Sequence, residues 1–448
     1  MKNFKNYIYI LAATAFFAAC KPSIDTPNFN HGTADFTRYI SVGNSLTSGY
    51  ADGGLYLAGQ QNSFPSMIAT QMQAVGGGSF SQPLFSAAQS NGSGYIKLTG
   101  FDANGSPITA AVTTNLAYRD PTFFTKYTGN LENYGVPGIK LLHITLPYYG
   151  NLNPYFERLL PGVAPANTNT SYLSFITTKP FTFFTNWLGN NDALGYATGG
   201  GGGYTGADAL TDKATFASLY NLLINSLTAT GAKGACATIP DVTTIPYFTT
   251  VTPGLLLAGA QAAAQKAGVT PLPAAIYITA STNAAATTYG VRAATASDLV
   301  TLTFPTALLG KPTTDPVSGA VTNPYPYGLH PNNPIDSKYI LDPNEVALVK
   351  DYVSSYNATI KSVAAAKGLA VFDAFTFLTN LKNNGLTVNG VNLTSGYISG
   401  GVFSLDGVHL TPRGYAIVAN EFIKAINSQY SANVPQVNVA NYNGVVFP

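Results

Sequence analysis

The sequence predicts an α/β protein built on a mostly parallel sheet with helices on both faces. Short apolar, β-branched runs such as 36–42 and "LAVFDAF" alternate with stretches of helical periodicity, the signature of βα units. Hydrophobic residues make up 46% and charged residues 9% of 448 positions, which excludes a disordered chain and supplies a core for one large domain with insertions or two ordinary ones. The helical stretches also argue against an outer-membrane barrel, whose strands would alternate throughout.

Each element has a local reason. Residues 36–42 read as the first strand, ending in "GNSL". "NSFPSMIATQMQAVGG" reads as a helix, with Asn62 or Ser63 as cap, Pro65 in its first turn and glycines at its end. Residues 76–130 are rich in Gly, Ser, Thr and Asn, and "SGYIKLTGF" and "ITAAVTT" predict small antiparallel strands in an insertion. "NYGVPGIK" is a glycine-proline turn, and "KPFTFFTNWLGNND" a buried strand running into a polar turn. The glycine run 199–203 lacks a following Gly-Lys-Ser/Thr, so it is expected to be a loose connector and not a phosphate loop.

Beyond it, Phe216, Leu219, Tyr220, Leu223, Ile224 and Leu227 recur at helical spacing, closed by Gly231. A strand is expected at 235–239, a helix in "TPGLLLAGAQAAAQKAG" and loop from 306 to 337. The strongest helix signal follows: Asp342 as N-cap, Pro343 first in the helix, Glu345 three after the cap, and a stripe of Val346, Val349, Val353, Tyr356, Ile360 and Val363. Insertions are thus expected near 76–130, 145–180 and 305–340 of a domain spanning 36–430, with 431–448 as a C-terminal extension.

The N-terminus carries an address. Lys2 and Lys5 precede an uncharged run, 7–19, too short to span a bilayer comfortably. The small residues before Cys20 resemble a bacterial lipobox, although Phe17 stands where an aliphatic residue is usual. On that resemblance 1–19 is a signal peptide, Cys20 is lipidated, and 20–35 is a tether to the membrane, periplasmic or at the cell surface. Net charge is +2 with no basic cluster, so no nucleic-acid partner is expected. The only other cysteine, Cys236, reads as a buried, inert thiol. Four histidines and no CxxC give no zinc spacing, and no metal or cofactor is expected.

Chemistry concentrates at four short motifs. Ser45 follows a strand and Gly43-Asn44. Near the C-terminus, "DGVHLTP" sets Asp406 three residues before His409, close enough for the carboxylate to hold the imidazole Nδ1 and leave Nε2 for a serine. Thr411 and Pro412 then start a helix. Gly138 in "GVPG" and Asn191 in "GNND" can offer N–H donors to an oxyanion.

In this order, "GNSL", "GVPG", "GNND" and "DGVH" resemble the four blocks of the SGNH (GDSL) hydrolase family over about 36–426. The resemblance implies a three-layer α/β/α sandwich with a flavodoxin-like sheet. It implies Ser45 as nucleophile, His409 as base and Asp406 as its orienting acid. It implies an oxyanion hole of the Ser45 and Gly138 N–H groups and the Asn191 side chain. The family usually has aspartate where Asn44 stands, a change expected to alter local hydrogen bonding without abolishing activity.

The reading is a serine esterase or lipase acting on a lipid, an aryl ester or an acetylated glycan. A non-catalytic binding lipoprotein on the same fold is the alternative. Asp192 reads as turn support, His143 as a structural histidine, His330 as a loop residue and Asp241 as a competitor of Asp406. Trp187 reads as core packing, with a wall of the acyl pocket as its alternative.

Overall fold

Five short strands are buried on nearly every residue, which is why they read as continuous apolar runs and do not alternate. They are β1 (Tyr39–Gly43), β2 (Asn133–Gly135), β3 (Phe183–Trp187), β4 (Lys233–Ala237) and β5 (Ala370–Phe372). All pair in parallel, in the order β5-β4-β3-β1-β2. Gly43 lies opposite Gly135 on one side and Trp187 on the other. The chain starts at β1, moves to the β2 edge, then returns past β1 to β3. Connections from β1 and β3 therefore diverge, opening a crevice at the carboxyl ends of these two strands. The structure, a computed structural model, describes residues 28–102, 105–165, 169–201 and 208–448. The signal peptide, Cys20 and most of the tether lie outside the described residues.

The helices form two layers. On one face α1 (Phe64–Gln73) packs on α6 (Pro412–Tyr430), with the Phe64 and Phe422 rings stacked at 5.0 Å. On the other, α2 (Asn191–Thr198) and α3 (Lys213–Thr228) pack on α5 (Pro343–Ala366), where Phe216 stacks on Tyr356 at 3.9 Å. Both α5 and α6 lie against β4 and β5. The expected capping box at α5 is present, with Asp342 and Glu345 each accepting from the other's backbone N–H. At α1 the cap residue is Ser63, but its hydroxyl donates to Gln82 instead of capping the helix. Among the described residues no helix is long and apolar enough to cross a membrane.

Several peripheral segments differ from expectation. The 76–130 region does hold an antiparallel hairpin, Tyr95–Phe101 with Pro107–Val112. Segment 145–180, expected as an insertion, is the connection from β2 to β3, and it buries Phe156, Tyr172 and Ile176 in the main core. The inserted unit around 305–340 begins earlier. From about 246 to 342 it gathers α4 (Pro253–Lys266) and a second hairpin, Tyr277–Ser281 with Tyr289–Ala293. Ile278, Val300, Phe304, Ile335 and Ile340 give it a small core of its own.

The described part of the glycine run is not loose. Gly200 and Gly201 have positive φ, and a Cβ on them would meet the Ser337 carbonyl and the Glu345 side chain. The C-terminal extension is a strap, burying Val434, Val437 and Val439 and exchanging two hydrogen bonds between Asn420 and Val437. The end of α6 holds the start of the described chain, through Thr33 N–H to the Tyr430 carbonyl at 2.9 Å.

Candidate active site

Why β1 stops in a glycine is answered by Thr47. A Cβ on Gly43 would lie 1.9 Å from Thr47 Oγ1, so only glycine lets the chain fold back at once into the helical turn Ser45–Ser48. Asn44 caps that turn, its Oδ1 accepting from Leu46 N–H at 3.0 Å. Ser45 is the turn's first residue, so its own N–H has no acceptor within the turn. Gly135 of β2 makes room from the other side, since its missing Cβ would lie 2.4 Å from Ser48 N.

His409 reaches this turn from the loop before α6. Its Nε2 is 2.9 Å from Ser45 Oγ, and its Nδ1 is 2.8 Å from Asp406 Oδ2. Asp406 also accepts from the backbone N–H of Val408 at 2.9 Å, His409 at 2.8 Å and Gly53 at 2.9 Å, and from Ser404 Oγ at 3.1 Å. Burial pushes its carboxyl up, but His409 and these donors outweigh burial and hold it well below the usual carboxylate range. The carboxylate is thus kept ionised, which fixes Nδ1 as the protonated nitrogen and leaves Nε2 able to take a proton from Ser45.

The loop itself is strapped to a turn that sequence reasoning passed over. Asp52 accepts from Leu405 N–H at 3.0 Å, and Asp52 N–H donates to Ser404 Oγ at 3.0 Å. The Tyr50 ring lies 4.6 Å from the His409 ring, and Tyr50 in turn is held by Tyr415 Oη on its carbonyl at 2.6 Å. The available signal was "YADGG", a turn motif a few residues after Ser45.

Asn191 starts α2 just beyond β3, on the far side of the crevice. One N–H of its amide donates to the Ile139 carbonyl at 2.9 Å, leaving the second N–H of the pair. Asp192 accepts from Leu141 N–H at 2.7 Å and Thr211 Oγ1 at 2.7 Å; burial pushes its carboxyl up to about 6. These bonds clamp the 136–141 turn, which is also held by Val136 N–H on the Gly43 carbonyl at 3.0 Å. Gly138 sits in that turn at φ +80°, a backbone conformation that favours glycine. Asn44, Ser45, Asn190, Asn191 and His409 line one small pocket, and Gly138 is not among its lining residues.

The remaining candidates lie elsewhere. His143 stacks on Tyr149 and accepts from Lys140 N–H, and burial lowers its imidazole to about 4. His330 stacks on Tyr325 in a loop. Asp241 caps a short turn through Thr243 and makes no bond to His409. Trp187 is 1% exposed among Phe64, Phe372 and Phe422, with its indole N–H on the Thr238 carbonyl; it is core and no wall of the pocket. Cys236 is buried in β4, where burial pushes its thiol up to about 11. Among the described residues no group of three or more His, Cys, Asp or Glu side chains could hold a metal ion.

Compared with known proteins, the chain matches no family model and no curated sequence significantly.

Proposed function

We propose that the chain is a serine esterase of the SGNH (GDSL) type, cleaving carboxylic esters through an acyl-enzyme on Ser45. The observation that carries this reading is the relay Ser45–His409–Asp406, at 2.9 Å and 2.8 Å, at the carboxyl end of β1. The strand order, which is that of flavodoxin-like sheets, supports the finer fold assignment, a three-layer sandwich of the SGNH kind.

In the proposed reaction Ser45 Oγ attacks the ester carbonyl carbon while His409 Nε2 takes its proton. The oxyanion is met by the Ser45 N–H, the Gly138 N–H and the free N–H of the Asn191 amide. Collapse breaks the bond to the alcohol oxygen, which leaves with the proton from His409. Water then repeats the sequence on the acyl-enzyme and releases the acid. Asp406, held ionised, stabilises the imidazolium in both halves. No cofactor enters.

The N-terminal lipobox supports export and anchoring through Cys20. Thr33 is tied to Tyr430, the last residue of α6, whereas His409 lies just before its first. A helix of 19 residues spans about 28 Å, so the start of the described chain and His409 lie at opposite ends of α6.

The test is hydrolysis of 4-nitrophenyl acetate together with labelling by a fluorophosphonate. Wild type is expected to turn over the ester and to gain the phosphonyl mass on the peptide bearing Ser45, and Ser45→Ala to do neither. Equal behaviour of the two proteins would refute the reading.

A further inference from the structure

Two spaces of very different size meet at His409. The pocket beside Ser45 has a volume of about 40 Å³. Its walls are Leu46, Pro240, Val242 and Ile245, with Asn44 and Asn190 between them. A water needs roughly 10–15 Å³ of such volume, so this pocket takes about three non-hydrogen atoms. The second space is a cleft of about 830 Å³ lined by Tyr50, Tyr247, Phe304, Tyr397 and several threonines, together with Asp406 and His409. Leu194, Val408 and His409 border both, and Ser45 borders only the small one. Past Thr250, Val251 and Thr306 the cleft runs on into a trough of about 830 Å³ along α4. Among the described residues, Asp406 and His409 are the only ionisable Asp, Glu, Lys, Arg or His side chains that line the cleft or the trough.

Chemistry decides which space takes which half of an ester. Ser45 borders only the small pocket, whereas His409, which protonates the leaving oxygen, also borders the large cleft, so the alcohol leaves into that cleft. The acyl group lies with Ser45 and Asn191, in the small pocket. We infer that the substrate is an acetyl-sized ester of a long, uncharged alcohol. This rests on the esterase reading and adds the substrate class to it. The small pocket refuses long acyl chains. The uncharged walls discriminate against anionic and cationic alcohols, whose desolvation they cannot offset. The tyrosines and threonines accept an alcohol with both apolar faces and hydroxyls, which a neutral polysaccharide and a fatty alcohol supply in different proportion.

Two measurements test this. In a 4-nitrophenyl series, kcat/KM for acetate is expected to exceed that for octanoate at least 100-fold. Ile245→Ala and, independently, Val242→Ala are expected to raise the octanoate-to-acetate ratio at least tenfold, a ratio that partial misfolding leaves alone. Second, Val251→Trp, which narrows the large cleft, is expected to lower kcat/KM on acetylated xylo-oligosaccharide or on hexadecyl acetate at least tenfold more than it lowers kcat/KM on 4-nitrophenyl acetate. The oligosaccharide responding identifies a glycan, and hexadecyl acetate a lipid alcohol. Acetylated polygalacturonate is expected to be at least tenfold slower than the better neutral substrate.

Octanoate turned over as fast as acetate, ratios unmoved by both pocket variants, an anionic substrate preferred, or Val251→Trp without effect on either large ester would each overturn the inference. Turnover with any of these results leaves the esterase reading standing. No turnover of any ester together with no labelling of Ser45 refutes that reading itself.

Discussion

The crevice at the ends of β1 and β3 and the inserted unit 246–342 are built on opposite principles. Around the crevice, the Ser45 turn and the Asp406–His409 pair take their shape first from residues within a few positions of them. Gly43 admits Thr47, Asn44 caps the Ser45 turn, and Asp406 grips the backbone N–H groups of Val408 and His409. In the inserted unit the core residues Ile278, Val300 and Ile340 come from distant segments, and the attachment to the main body is also long-range. Ser281 gives both its N–H and its hydroxyl to Asp342, and Tyr289 donates to Glu345 at 2.8 Å. The cap of α5 therefore has two tasks: it starts a helix and it is the post on which the inserted unit docks. On the proposed function, chemistry and substrate fit are therefore separable. The first sits on turns close to the reacting side chains, and the second on a wall that meets the main core through Tyr247, Phe248 and Leu341 and the α5 cap through Ser281 and Tyr289.

The largest expected effects break the local side. Ser45→Ala or His409→Ala should lower kcat on a nitrophenyl ester by about 10⁴-fold or more, because in the proposed reaction nucleophile and base act as a unit. Asp406→Asn should cost about 10³–10⁴-fold, since the amide no longer fixes the productive tautomer. Thermal unfolding measured beside each assay separates lost chemistry from lost fold. A residual rate above a hundredth of wild type in any of the three would mean that the relay is a structural hydrogen-bond chain.

Legibility follows the same divide. β1, β3 and α5 could be read because their signals are short-range: a buried β-branched run, a polar turn, a capping box. The Ser45 turn and the Asp406–His409 loop could be read because each is a short chain turn that carries its own side chains. What escaped was whatever depends on contact across the fold. Asp52 and Gly53 bind the loop of Asp406 from more than 350 residues away, at 3.0 Å and 2.9 Å. The Tyr277–Ser281 hairpin was passed over because its partner surface, Ile335 and Ile340, arrives only after a long irregular stretch. Of the two cap candidates, Asn62 and Ser63, the helix starts after Ser63, and its hydroxyl goes to Gln82 in place of the cap bond. Segment 145–180 reads as an insertion because prolines and asparagines interrupt its apolar residues, so no period announces that Phe156 and Tyr172 sit in the main core.

Next in size are changes at the docking post. Asp342→Ala removes a helix cap and leaves the Ser281 donors unsatisfied, an expected loss of about 2–4 kcal/mol. Limited proteolysis is the sharper readout. If docking depends on this post, cleavage should begin within 246–342 while the Ser45 site still accepts a phosphonate label. Simultaneous loss of both would merge the two regions into one cooperative unit.

A pH effect should act on the same post. Burial, reinforced by the charge of Asp342, pushes the Glu345 carboxyl up to about 8 against a usual value near 4.5, more than the opposing hydrogen bonds lower it. A raised carboxyl binds its proton more tightly in the folded state. The stabilisation it brings is complete below about 4.5 and is lost as pH rises through 8. Asp192, raised to about 6, has the same sign but is spent earlier. Between pH 6.5 and 8.5 the melting temperature should therefore fall by a few degrees, and Glu345→Gln should flatten that fall. An unchanged slope in the variant would remove Glu345 as its source.

The smallest effect is expected closest to the chemistry. Asn44 stands beside the nucleophile, yet its Oδ1 has a backbone task, the cap on Leu46, that an aspartate would perform equally. Its Nδ2 has no hydrogen-bond partner although the residue is 1% exposed. Asn44→Asp would remove that orphaned donor and place a carboxylate in the pocket with Ser45 and His409. The first change favours the variant's folded state and the second disfavours the ionised carboxylate through burial, so the two oppose each other. The expected change in kcat/KM is less than tenfold in either direction, with Ser45 labelling retained. A rise of several orders of magnitude would show that a charge at this position takes part in the reaction, and that the turn after β1 is more than a scaffold for its serine.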